Sequence, residues 1–286
     1  MHAVGRTSAG VVGLWDVRVW TVWEERLMVG SVVQARCVVG APCWVSLMAR
    51  DVDVAKGFYG PLLGWGFEAG PDRWGAYCRA VVDGVAVAGI GEVARTWEFP
   101  VAWTTYFGTD DADQVSARVR ERGGTMVMGP LAFDAGRLAL AADPDGAAFG
   151  VWQGRPGPAS DLERPGALAW SELRTADAFA AALFYGAVFG WDQASDLDVA
   201  FEHERVLLRG AGRTLASLNG GGSQGAPDPR VRPRWHVFFT VADADATAAR
   251  AVTLGGTVAA AAHDSPVGRV AQLRDREGGL FWVVAT

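Results

Sequence analysis

Lysine is almost missing from this 286-residue chain: Lys56 is the only one, and the basic charge rests on arginine. The net charge is -6, which argues against the basic face that a nucleic-acid binder presents. Histidine is scarce too, with four in all, so a site built from several imidazoles has few candidates. The three cysteines (Cys37, Cys43 and Cys78) make no Cys-x-x-Cys pair and no disulfide framework. A reducing cytoplasm is therefore the expected compartment. No apolar run reaches the roughly 18 residues of a membrane span, so no membrane partner is expected. Asp16, Arg18, Glu24, Glu25 and Arg26 interrupt the N-terminal apolar residues, which removes a signal-peptide layout.

Half of the residues are hydrophobic and 13 are tryptophan, enough to fill substantial cores. The positions of those tryptophans expose an internal repeat. Trp44-Val-Ser-Leu-Met-Ala-Arg-Asp51 matches Trp170-Ser-Glu-Leu-Arg-Thr-Ala-Asp177, and Phe58-Tyr59 with Gly64-Trp65 matches Phe184-Tyr185 with Gly190-Trp191, at an offset of 126. Farther on the offset is 132: Trp103 with Trp235, Asp111 with Asp243, Gly123-Gly124-Thr125 with Gly255-Gly256-Thr257, and Asp143, Gly146 and Phe149 with Asp275, Gly278 and Phe281. Copy two thus carries a net insertion between Trp191 and Trp235, where Asn219-Gly-Gly-Gly-Ser-Gln-Gly reads as a surface loop.

Copy one spans residues 41–153 and copy two residues 166–286, joined by a Pro/Gly-rich linker over 154–165. Residues 1–40 have no counterpart in the repeat. They read as an N-terminal extension, either without fixed structure or produced by a start upstream of Met28.

Each copy contains two similar halves. In copy one a strand over 44–48 leads to Asp51, a helix N-cap, and Val54, Ala55, Phe58, Tyr59, Leu62 and Leu63 follow at helical spacing until Gly64. Strands are expected over 77–82 and 85–90. The pattern then restarts with a strand at 103–107, Asp111 as cap, a helix stopped by Gly123-Gly124, the turn Asp143-Pro-Asp-Gly146, and a last strand over 148–153. The order is β-α-β-β-β twice per copy.

A strand, a capping Asp, a helix ending in Phe-Tyr and Gly-Trp, and a late Asp-Pro-Asp-Gly turn together resemble the vicinal oxygen chelate superfamily. Glyoxalase I, extradiol dioxygenases and bleomycin-resistance proteins belong to it. The likeness covers residues 41–286. Closer still, the chain is similar to two-domain glyoxalase-like proteins of actinobacteria, some of which accompany antibiotic gene clusters, including daunorubicin–doxorubicin clusters. The resemblance implies an α+β fold of tandem glyoxalase-like domains. In each, two β-α-β-β-β units form a half-open eight-stranded barrel around a cavity.

Family enzymes hold a divalent metal in that cavity with four side chains, usually His, Gln or Glu. At the matching positions this chain carries Trp44, Thr104 and Gly150 in copy one, and Trp170, His236 and Trp282 in copy two, with the remaining position near Ala88-Gly89 and Ala216-Ser217. His236 alone is a ligand type, and a catalytic divalent metal needs about three protein ligands. No metal is expected. Gly89-Ile-Gly91 lacks the rest of a dinucleotide fingerprint, so no cofactor is expected either.

Alternation along the strands places Trp44, Ser46, Met48, Thr104, Tyr106, Gly150 and Trp152 inward in copy one. In copy two it places Trp170, Glu172, Arg174, His236, Phe238, Thr240 and Trp282 inward. Trp103, Trp235, Trp65 and Trp191 should pack as core. The inward rings read either as plugs or as a stacking wall for a flat aromatic ligand. The expected function is a metal-free binding protein for an aromatic, anthracycline-like small molecule, acting in drug sequestration, self-resistance or support of a biosynthetic oxygenase. Copy two is the expected seat. The rival reading is a metal-independent enzyme with His236 and Glu172 as acid–base groups. Arg137 and Arg269 read as surface residues, with a cavity-mouth anion contact as the alternative.

Overall fold

Aspartate side chains start four of the helices. Asp51, Asp111, Asp177 and Asp243 all have extended backbone and accept hydrogen bonds from amides in the first helical turn. The elements are described in a computed structural model that covers residues 38–70, 75–134, 136–154, 164–203, 205–210, 212–220 and 232–285. Most of the N-terminal extension, most of the linker and most of the Gly-rich insertion therefore lie outside the described residues.

Copy one runs β1 (Pro42–Met48), α1 (Val52–Leu63), β2 (Gly66–Ala69), β3 (Tyr77–Val82), β4 (Val85–Gly91), α2 (Val93–Trp97), β5 (Ala102–Thr109), α3 (Ala112–Glu121), β6 (Thr125–Phe133), β7 (Gly136–Ala142) and β8 (Ala148–Gln153). Copy two runs β9 (Leu168–Arg174), α4 (Ala178–Phe189), β10 (Asp198–Glu202), β11 (Arg205–Gly210), β12 (Arg213–Asn219), β13 (Arg234–Thr240), α5 (Ala244–Thr253), β14 (Thr257–Ser265), β15 (Gly268–Arg274) and β16 (Leu280–Ala285). Each copy is one eight-stranded sheet, ordered β2-β3-β4-β1-β5-β8-β7-β6 and β10-β11-β12-β9-β13-β16-β15-β14. The shared topology is the tandem arrangement that the repeat implies. The short helix α2 was not expected from the sequence. No described helix is long and apolar enough to cross a membrane.

The hydrophobic cores do not follow the copies. One core joins β1, α1, β3 and β4 of copy one to Val237, Phe239, Ala271, Phe281 and Val283 of copy two. The other joins Phe107, Val115, Val119, Phe149 and Val151 of copy one to Leu173, Tyr185, Val188, Leu208 and Leu218 of copy two. Trp65 and Trp103 sit in the first core, Trp191 and Trp235 in the second. Those four tryptophans are core, Trp103 and Trp235 by their strand phase and Trp65 and Trp191 just after the helices.

Polar groups cross between the copies in the same pattern. The Tyr59 hydroxyl accepts from Trp103 Nε1 at 2.9 Å and donates to the Asp275 carboxylate at 2.9 Å. Tyr185 does the same with Trp235 Nε1 at 2.9 Å and Asp143 at 3.0 Å. Trp65 Nε1 donates to the Gly166 carbonyl and Trp191 Nε1 to the Gly40 carbonyl, both at 2.7 Å. Both aspartates also accept from amides of their own turns, Asp143 from Asp145 and Ala147, Asp275 from Glu277 and Gly279. Burial raises the carboxyl of each aspartate and pushes each tyrosine hydroxyl well above its ordinary range.

A buried donor left without a partner costs about 1–3 kcal/mol. Tyr59→Phe removes the bond to Asp275 and strands the Trp103 N–H, so urea unfolding should show a loss of that size, and Tyr185→Phe a similar one. Residues 38–153 produced alone should unfold without a cooperative transition. A Tyr59→Phe chain as stable as wild type, or a copy one that folds cooperatively by itself, contradicts the shared cores.

Candidate functional site

On the opposite face of each sheet from the shared cores, the central strands align their inward residues in three rungs. In copy two, β9, β13 and β16 bring Trp170, Phe238 and Trp282 into direct register. The next rung, two residues along, is Ser217, Glu172 and His236, and the third is Asn219, Arg174 and Arg234. In copy one the same rungs are Trp44, Tyr106 and Gly150, then Gly89, Ser46 and Thr104, then Gly91, Met48 and Ala102. The register settles which last-strand residues face inward: Gly89 and Ser217 lie on the rungs, while Ala88 and Ala216 belong to the shared cores. It also equates Asn219 with Gly91, so the insertion in copy two is divided between segments before and after β12.

The first rung of copy two is a stack of three rings. Trp170 and Phe238 lie 4.5 Å apart at 16°, and Phe238 and Trp282 5.4 Å apart at 11°. Phe238 is 3% exposed and Trp282 4%, so the half-buried Trp170 presents the accessible ring of the stack. The Arg174 guanidinium lies 4.8 Å from the Trp282 ring centroid, a cation–π distance. Val270 and Val284 close the apolar cluster behind the rings.

Copy one fills its space differently. Tyr106 lies against Gly150, where an added Cβ would collide with the ring. Tyr77 of β3 covers Gly89 in the same way, and its hydroxyl hydrogen-bonds with Trp44 and Ser46. Burial pushes the Tyr77 hydroxyl up to about 12 and raises that of Tyr106 as well. Tyr77 meets Phe133 edge-on at 5.3 Å, and Phe133 meets Trp152 at 6.5 Å. Met48 is buried with Ala94 of α2 and Leu140, close to Tyr106 and Met128. Of the copy-one candidates, Trp44, Tyr106 and Trp152 remain half-buried, whereas Met48, Ser46 and Thr104 are buried.

These donor sets do not fit the metal that the fold family implies. In copy one the positions are Trp44, Thr104, Gly89 and Gly150, and the space beside both glycines is taken by tyrosine rings. In copy two the positions are Trp170, His236, Trp282 and Ser217, of which His236 alone is a usual ligand type, and Glu172 on the same rung adds one carboxylate. Among the described residues no three His, Cys, Asp or Glu side chains come together.

Glu172 and His236 are directly opposite in register, as an acid–base pair requires. Their chemistry points elsewhere. Glu172 accepts from Arg174 Nε at 2.9 Å and from the Ser217 hydroxyl at 3.4 Å, and it has no hydrogen bond to His236. His236 is buried with its ring edge toward Trp282 at 6.4 Å. Burial first, then Arg174 and Arg234, hold its pKa down at about 3. The imidazole is neutral at physiological pH and a poor proton acceptor.

Several residues near the site carry no motif that would single them out. His263 on β14 reaches Trp282 edge-on at 6.3 Å across the strand pairs, and Tyr77 depends on the β3–β4 register. Arg137 and Arg269 do not meet the cavity alternative: each is exposed and clamped to a helix-start acid, Arg137 to Asp113 at 2.6 and 3.0 Å and Arg269 to Asp245.

The depressed His236 pKa has a pH consequence. The unfolded chain takes up a proton near pH 6.5, while the folded chain does not until about pH 3. Stability should therefore fall as pH drops from 6.5 toward 3, by about 1.4 kcal/mol per pH unit from this one group. Comparing wild type with His236→Gln by denaturant melts at pH 7 and 5 isolates the effect. The variant should lose less stability on acidification, and an identical loss would show that His236 does not titrate this way.

A family model described as a glyoxalase-like domain matches residues 170–284. CFP32 of Mycobacterium tuberculosis, named as a provisional glyoxylase, is 40% identical over 252 residues, covering 86% of this chain and 94% of that protein. The anthracycline biosynthesis protein DnrV of Streptomyces peucetius is 38% identical over 268 residues, covering 87% of this chain and 94% of its own length. Among solved structures, a Mn(II)-bound glyoxalase from Novosphingobium aromaticivorans superposes with a TM-score of 0.57 at 19% identity, over 86% of this chain and 81% of that one. The 2,3-dioxygenase LapB from Pseudomonas sp. KL28 does so with 0.56 at 11% identity, over 88% and 94%. The solved structures share the fold, the sequence relatives share the whole two-copy chain, and the protein belongs to the glyoxalase-like family of the vicinal oxygen chelate superfamily.

Proposed function

We propose that this chain is a binding protein for an aromatic small molecule, held by ring stacking and hydrogen bonds with no metal ion at the family position. The observation that carries the reading is the first rung of copy two. Trp170 and Trp282 stand at positions where the resemblance places metal ligands, they stack on either side of Phe238, and the outermost ring, Trp170, is half-buried. A planar ligand laid on Trp170 extends that stack, adding about 0.5–1.5 kcal/mol beyond the burial of its surface. Burial itself contributes roughly 25 cal/mol per Å², reduced by the cost of association. Micromolar affinity follows without any covalent chemistry.

The relatives narrow the ligand class. DnrV and DauV are both named anthracycline biosynthesis proteins, and DauV of Streptomyces sp. strain C5 is 37% identical over 272 residues. An anthracycline is a fused planar system edged with carbonyl and hydroxyl oxygens, which suits a ring stack next to polar rungs. In this reading the protein acts in the cytoplasm, sequestering a polycyclic product or intermediate for self-resistance or delivering it to an oxygenase. Copy two is the seat. Copy one, with Trp44, Tyr106 and Trp152, is the competing cavity.

Titration with an anthracycline aglycone, followed by tryptophan fluorescence, tests the proposal. Saturable quenching in the micromolar range is expected, unchanged by chelator and without conversion of the probe. Trp170→Ala should weaken binding tenfold or more and leave the melting temperature within a few degrees of wild type. Loss of binding in Trp44→Ala alone moves the site to copy one. Absence of quenching means that the rings are plugs, and turnover of the probe establishes an enzyme instead.

A further inference from the structure

The cationic rung of copy two lacks an anion. Arg234 is half-buried, faces Arg174 directly across the β9–β13 pair, and has no hydrogen bond or acidic partner among the described residues. The nearest carboxylate in the rungs is Glu172, and both its oxygens are engaged, one by Arg174 and the other by Ser217. Burial and the charge of Arg274 both lower the Arg234 pKa, the mark of a guanidinium that meets another cation and no counter-ion. An uncharged group stands beside it: His236 is on the neighbouring rung, and its ring makes no hydrogen bond among the described residues. Native interiors rarely leave such groups unanswered, and where they do, a ligand or ion usually supplies the partner.

Building on the aromatic-binding reading above, we propose that the copy-two cavity selects ligands that carry an anionic oxygen, a carboxylate or an ionised phenol. The aromatic ring lies in the copy-two cavity, and its anionic oxygen is seated at Arg234 beside His236. The neutral imidazole keeps one N–H to donate and adds no charge of its own. The equivalent positions in copy one are Ala102 and Thr104, which offer no cation. The preference for an anion is therefore a property of copy two alone, and the duplicated cavities differ in ligand chemistry.

The probes are 2-naphthoate and 2-naphthamide, which have the same ring and nearly the same shape and differ in charge. Calorimetric titration of the full chain at pH 7.5 should give a dissociation constant at least tenfold lower for the naphthoate. Arg234→Gln should abolish the preference while leaving naphthamide affinity within about twofold. Equal affinity for the two probes, or an Arg234→Gln chain that keeps the preference, overturns the anion site while the aromatic reading stands. If neither probe binds, both readings fall. A preference that vanishes with Thr104→Val and survives Arg234→Gln assigns the charge recognition to copy one and also overturns the proposal.

Discussion

A tyrosine hydroxyl of each copy bonded to a buried aspartate of the other is the constraint from which the architecture follows. Tyr59 belongs to the Phe-Tyr pair in the second half of helix α1, and Asp275 opens the last turn of copy two; Tyr185 and Asp143 reverse the roles. Each aspartate also caps its own turn by accepting two amides, so one buried carboxylate fixes a local turn and a long-range contact together. The indole N–H of Trp103 or Trp235 completes the arrangement, leaving neither hydroxyl short of a donor. Breaking one link exposes several buried polar groups at once, and the halves are therefore held in one relative position.

Sharing the cores has a consequence for the other faces of the sheets. Outward positions such as Val45, Leu47, Val237 and Phe239 are all fully buried against the other copy and admit little change in volume. Inward positions carry no such burden, and it is there that the copies differ. Gly150 corresponds to Trp282, Ser46 to Glu172, Thr104 to His236, and Met48 to Arg174 in the rungs of the two sheets. Copy one uses tyrosine rings over glycines and gives an apolar interior with a few hydroxyls. Copy two uses a three-ring stack and gives an interior of aromatic and charged layers.

The same layering decides which groups stand at the family positions of a fold used for metal chemistry elsewhere. A carboxylate and an imidazole remain in copy two, yet the carboxylate is committed to Arg174 and the imidazole is kept neutral by burial and two guanidinium groups. The committed carboxylate works against metal coordination, and the weakly basic imidazole works against proton transfer.

Much of this was legible in the sequence because it depends on short-range rules. Capping aspartates, helix-ending glycines, period-two strands and two constant repeat offsets gave the order of elements and assigned Trp103 and Trp235 to the core side and Trp170 and Trp282 to the inner side. Those features are set by backbone geometry within a few residues. The tertiary structure decided the rest. Tyr59 and Asp275 are 216 residues apart, so no local pattern could pair them or show that the cores cross between copies. The offset of the β4 and β12 register, which brings Gly89 and Ser217 rather than their neighbours inward, depends on strand pairing across the insertion. The burial of each inward aromatic was likewise beyond local rules: the strand phase put Trp170, Phe238 and Trp282 on one face, but only close packing of three adjacent strands buries two of those rings and leaves the third accessible.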